Sequence, residues 1–326
     1  MPEHHGRRSA FSSSLLVASL SLVSCLAVAC GGSPKPESEK ASAEIPPLLD
    51  GPEYAADVDA WHARRVENLR SKTGWLTLIG LFWLQEGDNT FGSAGDNTLA
   101  FPEKAPARAG TLRLEAGKVT VTAAPEAPLL HDGEPVDVLE LASDAGGEPT
   151  ILDLGSLRFY VIDREGRLGI RLKDSESATL ESFAGIDRFP VEPAWRFEAR
   201  WEAYDPPQTV FTPNVLGSAF EEECPGALVL TINGEEHRLE PTSAGEGNLF
   251  LVFGDATNGD STYGGGRFLE LGPPANGKVL VDFNRAYNPP CVFTPYATCP
   301  LPRRENRLPV EIPAGEKMWG EGHHDT

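Results

Sequence analysis

Apolar and polar positions alternate along most of the chain, the signature of half-buried β-strands. Leu112, Leu114, Val119 and Val121 alternate on either side of Ala116-Gly117. Residues 159–162 and 168–172 flank Asp163-Arg164-Glu165-Gly166, which reads as a hairpin turn. Trp195, Phe197, Ala199, Trp201 and Ala203 alternate strictly with Arg196, Glu198, Arg200 and Glu202. Leu228, Leu230 and Ile232 run into Asn233-Gly234, the strongest short hairpin signal. Residues 250–253, 267–271 and 278–283 supply three more strands. One helix breaks the pattern. Over residues 55–72, Val58, Trp61, Val66 and Leu69 share a face, Asp57 and Asp59 lie near the start, and Gly74 supplies a stop.

About 270 foldable residues exceed one ordinary β core. The expected architecture is therefore mainly β, with two antiparallel β units and one N-terminal amphipathic helix. Residues 53–187 are read as the helix plus a β-sandwich. Residues 188–316 are read as a second unit, a sandwich or half-open barrel that carries the dense polar motifs. Residues 317–326 are a flexible tail.

Residues 1–29 read as a signal peptide. Arg7 and Arg8 precede an apolar, serine-rich run that ends at Ala29. Ala27-Val28-Ala29-Cys30 then leads into Gly/Ser/Pro-rich sequence, as a bacterial lipobox does, so Cys30 is the expected lipidation site. Cys25 competes, but cleavage there would leave Leu26-Ala27-Val28-Ala29 on the mature chain. Ordinary secretion after Ala-Val-Ala is the other alternative. Residues 30–52 have little to bury and are expected to be a disordered, lipid-anchored linker. The expected location is extracytoplasmic, at the bacterial cell envelope, with the lipid bilayer as partner through the acyl anchor.

Net charge is −20 over the full chain, and loss of Glu3, Arg7 and Arg8 with the leader leaves about −21. Such acidity argues against nucleic acid or anionic headgroups as partners. Cys224, Cys291 and Cys299 remain beyond the leader. Cys291 and Cys299 bracket a short proline-braced loop, so a disulfide between them is the natural pairing in an oxidising compartment. No CxxC or HExxH occurs, and no metal or cofactor is expected.

The densest chemistry lies between Asp282 and Pro300. The stretch holds Asp282, Asn284, Arg285, Tyr287, Asn288, Tyr296, both cysteines and four prolines. Proline at that density excludes helix and central strand, leaving a stiff loop. With Gly74-Trp75-Leu76, Gly80-Leu81-Phe82-Trp83-Leu84, residues 253–259 and residues 262–267, this segment resembles DUF1684, a bacterial and archaeal domain of unknown function. The resemblance covers about residues 60–315 and implies no activity. Residues 89–172 partly resemble the forkhead-associated sandwich, on residues 96–101, 109–112, 133–136 and Leu154-Gly155. That family holds phosphothreonine with an Arg after a glycine. Here Ser93 follows Gly92, so the resemblance implies the fold and not the phosphopeptide function.

The leading expectation is a pocket between the β units for a small polar or anionic ligand. Asp255, Thr257, Tyr263, Arg267, Asn284, Asn288 and, at the junction of the units, Arg171 are its candidate residues. The alternative is a metal-independent hydrolase or lyase with Asp282 as general base and Tyr287 stabilising charge. A structural envelope protein, with these polar groups only tying down loops, is the third possibility. Serine or cysteine triads find no support in the spacing of His62, His131 and His237.

Overall fold

A computed structural model describes residues 51–320; Cys30, the leader and nearly all of the linker lie outside the described residues. The described chain is mainly β, with several antiparallel sheets, one of them a half-barrel, and one long N-terminal helix. The turns follow from their residues. Ala116-Gly117, Glu165-Gly166 and Asn233-Gly234 all have positive φ. A two-residue hairpin turn needs that left-handed pair to match the strand twist. The second hairpin is tighter than the four-residue reading because Asp163 and Arg164 stay in the strand Leu157–Arg164.

Two sheets form the N-terminal half. In one, Leu78–Trp83 pairs with Arg167–Asp174, which pairs with Leu157–Arg164 and onward to Leu152–Leu154. In the other, Gly87–Gly92 pairs with Gly110–Glu115, Lys118–Ala123 and Val138–Leu141 in sequence. Phe91, Leu112 and Val121 from one sheet pack with Phe159, Ile170 and Leu172 from the other. This is the expected sandwich.

The C-terminal half is built on a long hairpin, Arg196–Pro213 against Ala219–Ile232, flanked by Lys278–Asp282 and Glu235–Leu239. A second sheet sets Leu249–Phe253 between Thr242–Ser243 and Arg267–Leu271. Their core joins Leu228, Leu251, Phe253, Leu269, Val281 and Phe283.

Helix α1 spans Gly51–Leu69 and buries Tyr54, Val58 and Leu69. Its polar contacts run to the C-terminal half. Tyr54 Oη donates to Asp282 Oδ1 at 2.7 Å, and Arg65 Nε donates to Glu316 Oε1 at 2.5 Å. Asp59 and Asp57 accept from Arg188 and Arg285. The apolar end of α1 packs on both sides of residue 188, with Leu69 in one cluster with Leu76, Phe183, Ile186, Val292 and Phe293. The proline-rich loop bridges the halves: Thr294 Oγ1 donates to Leu78 O at 2.9 Å, and Leu78, Val252, Phe268, Cys291, Ala297 and Cys299 form one apolar cluster.

Candidate functional site

Arg267 starts its strand with no side-chain exposure. Nη2 donates to Asp255 Oδ2 at 2.8 Å and to Ile312 O at 2.9 Å, and Nη1 donates to Ala314 O. Asp255 Oδ1 accepts from Thr257 N at 2.9 Å, Thr257 Oγ1 at 2.5 Å and Ile312 N at 3.1 Å. Thr257 Oγ1 lies 2.8 Å from Thr262 Oγ1. Burial lowers the Arg267 pKa, opposed by the neighbouring Asp255 carboxylate. A buried charge needs such a partner, because desolvation is otherwise uncompensated. Gly266 takes φ 86°, and a Cβ there would collide with Phe253 O and the Pro302 ring. The glycine-rich turn therefore seats Arg267 in the fold. The two residues that were expected to grip a ligand grip each other and the 312–314 backbone.

Asp282 and Asn284 make a second network. Asp282 Oδ1 accepts from Tyr54 Oη at 2.7 Å and from Asn284 N and Nδ2, both at 3.1 Å. Arg285 Nε donates to Oδ2 at 3.3 Å. Asn284 Nδ2 also donates to Glu192 O at 2.9 Å, while its Oδ1 accepts from Glu192 N at 3.0 Å. Burial, then the bond to Asp282, pushes the Tyr54 phenol well above its usual range. These groups fasten α1 and the 192 segment to the end of a strand.

Tyr287 and Asn288 sit elsewhere, on a cavity of about 540 Å³ between α1 and the 249–271 sheet. Trp61, Trp75, Phe250, Phe268 and Phe293 share its wall. Tyr287 Oη donates to Glu270 Oε1 at 3.0 Å, and its ring carries the Arg65 guanidinium at 4.4 Å. Burial raises the Tyr287 pKa. Asn288 N donates to Glu316 Oε2 and its Nδ2 to Lys317 O, both at 2.7 Å, whereas its buried Oδ1 has no partner. Tyr263 lies in the apolar cluster beside Phe293, with its pKa pushed up to about 12 by burial.

Arg171 is of another kind. It is 4% exposed, yet it has no carboxylate partner among the described residues, and its Nε has no hydrogen-bond partner. Its nearest acceptors are neutral and at the edge of bonding distance, Tyr160 Oη at 3.4 Å and Thr298 Oγ1 at 3.5 Å. The guanidinium stacks 5.2 Å from the Trp75 ring centroid. It lines a cavity of about 440 Å³ with Trp75, Phe220, Phe268, Thr298 and Pro300. The neighbouring Arg164 on that wall is neutralised by Asp144 through bonds of 3.0 and 2.8 Å. The strand Arg167–Asp174 places Arg171 at the cavity, and the prolyl loop supplies the opposite wall. Trp75 and Thr298, which contact the Arg171 guanidinium, are among the wall residues that sequence reasoning missed as site residues. Only the Gly74-Trp75-Leu76 motif and the position of Thr298 in the prolyl loop mark them.

The expected Cys291–Cys299 disulfide is not formed: all three described cysteines are free and buried. The loop does bring the pair together, with Cys291 N donating to Cys299 Sγ at 3.2 Å. The sulfurs do not reach bonding distance, which a disulfide sets near ~2.05 Å. Burial pushes the Cys299 thiol up, disfavouring the reactive thiolate. Among the described residues no cluster of metal-ligating side chains occurs, and no helix is long and apolar enough to cross a membrane.

No curated protein matches the chain. Among solved structures, an uncharacterized protein of Haloarcula marismortui is similar at 28% identity, covering 44% of this chain and 80% of that one, with a TM-score of 0.37. The N-terminal forkhead-associated domain of EssC, a component of the bacterial type VII secretion apparatus, is similar at 18% identity. That match covers 30% of this chain and 46% of the other, with a TM-score of 0.24. The FhaA forkhead-associated domain is similar at 16% identity over 28% of this chain and 97% of its own, with a TM-score of 0.20. Residues 181–317, which carry the Asp255–Arg267 pair and the prolyl loop, match the family described as "Protein of unknown function (DUF1684)".

Proposed function

We propose that the chain is a lipid-anchored extracytoplasmic protein that binds a small anionic molecule at Arg171, between its two β units. One observation carries the binding reading: a guanidinium 4% exposed, without a carboxylate, at the wall of a cavity. Burying an unpaired charge is costly, and a protein carries that cost where a ligand supplies the missing partner. A carboxylate would take the guanidinium edge-on through parallel N–H bonds, while Trp75 holds the face. The anchoring half of the reading rests on Ala27-Val28-Ala29-Cys30 and the polar sequence after it.

The hydrolase alternative receives no such support. Asp282 is engaged at both oxygens and lines neither cavity described above.

Thermal-shift screening of the mature domain against organic anions tests the binding, followed by titration of any hit into Arg171→Lys. The change keeps the charge and loses the planar fork, so affinity should fall by about one to two orders of magnitude. A panel with no stabilising anion, or a hit indifferent to Arg171, would remove the reading. Metabolic labelling with a palmitate analogue should tag the wild type and spare Cys30→Ala; labelling lost only in Cys25→Ala would move the anchor.

A further inference from the structure

The Arg171 cavity and the aromatic cavity are neighbours. Trp75, Phe268 and Pro290 line both, so the two cavities adjoin at these three side chains. The two volumes, about 440 and 540 Å³, differ in character. The first holds the Arg171 guanidinium, which has no carboxylate partner among the described residues. In the second, the Arg65 and Tyr287 polar groups are already engaged with Glu316 and Glu270, and aromatic rings are the largest share of the wall.

We infer that the anion at Arg171 is the carboxylate head of an amphipathic molecule whose apolar body passes over Trp75, Phe268 and Pro290 into the aromatic cavity. This rests on the reading of Arg171 as an anion site and adds the ligand's chemical class. Charge favours a monoanion. One guanidinium is available, and Asp163 and Glu165 also line the Arg171 cavity. A phosphate dianion would meet those carboxylates with one unneutralised guanidinium on that wall to offset them. Aromatic walls favour an apolar body, since burial of alkyl or aryl surface stabilises without directional demands.

The probe is a series of straight-chain monocarboxylates, from butyrate to decanoate, titrated calorimetrically into the mature domain beside the matching primary alcohols. Affinity should rise about three- to fourfold per added methylene once the chain passes Trp75. Each alcohol should bind far more weakly than its acid, and Arg171→Lys should weaken the whole acid series. Asn68 is an exposed helical residue on the aromatic cavity, so Asn68→Trp can fill that cavity without disturbing a core. This variant should abolish the gain with chain length and leave butyrate affinity unchanged. Affinity independent of chain length, with dependence on Arg171 intact, would overturn the amphipathic ligand while the anion site stands. Chain-length gain that survives Asn68→Trp would also overturn it. Alcohols binding as well as acids, with Arg171→Lys silent, would instead overturn the anion site on which it rests.

Discussion

Arg171 stacks on Trp75 at 5.2 Å and has no anionic partner among the described residues. The indole face offsets part of the cost of the buried charge, by about 2 kcal/mol at a desolvated site, and leaves the guanidinium edge with only two long contacts to neutral hydroxyls, Tyr160 Oη and Thr298 Oγ1. An interaction that satisfies only one side of a cation stabilises the fold poorly. Arg171→Met should therefore raise ligand-free stability by about 1 kcal/mol, or roughly 2–4 °C in Tm, and eliminate anion binding. Differential scanning calorimetry of both proteins checks this. A fall in Tm of several degrees would make Arg171 a structural residue.

Strand pattern and turn chemistry were legible in the sequence because both are local. Alternation along 196–203 and Asn233-Gly234 require no knowledge of distant residues. The role of each polar group was not local. Asp255 and Arg267 looked like ligand groups until the 312–314 backbone, some 45 residues further on, closed over them. Tyr54 lies 228 residues from Asp282 and takes up its Oδ1. Arg171, by contrast, could be singled out by its place in Ile170-Arg171-Leu172-Lys173-Asp174 at the junction of the two units. Its lack of a partner is a property of the assembled fold alone.

Lys173 lies two residues beyond Arg171 and places its Nζ 5.6 Å from the same Trp75 ring. Burial first, then Arg171 and Arg158, lowers its pKa to about 8. An unfolded lysine titrates near ~10.4, so between these values the unfolded chain binds more protons than the folded one. The contribution of Lys173 to stability then rises with pH across that window, against an opposing contribution from the raised Cys224 and Cys299 thiols. Urea unfolding of wild type and Lys173→Met at about pH 7.5 and about pH 9.5 isolates it: the stability of the wild type relative to the variant should grow with pH. Above about pH 10 the sign reverses, because Tyr54, Tyr263 and Tyr287 have raised folded pKa values and their unfolded phenols ionise first.

The three buried thiols give a chemical test of the prolyl loop. Native protein at about pH 8 should react slowly with iodoacetamide, since all three thiols are buried away from the reagent. Unfolding without reductant should expose Cys224, Cys291 and Cys299 together, each alkylated in the peptide map. A peptide in which Cys291 is joined to Cys299 would show that the loop closes covalently after all.

The Asp255–Arg267 pair separates fold from site. Both side chains are fully buried, so deleting either leaves an opposite charge in a dry interior. Arg267→Met should cost about 3–5 kcal/mol, and Asp255→Asn a comparable amount. Asp255 also accepts from Thr257 and Ile312, so its loss weakens the 255–262 turn as well as the ion pair. The double variant should therefore stay destabilised, yet cost less than the sum of the singles by about 1–3 kcal/mol. Chemical denaturation of the four proteins measures that coupling. Anion affinity at Arg171 should be unchanged in Asp255→Asn below its melting range, because this network lines neither of the two cavities. Additive losses within about 0.5 kcal/mol would show that the two charges do not act as a pair. Loss of anion binding in the still-folded Asp255→Asn protein would return Asp255 and Arg267 to the ligand site.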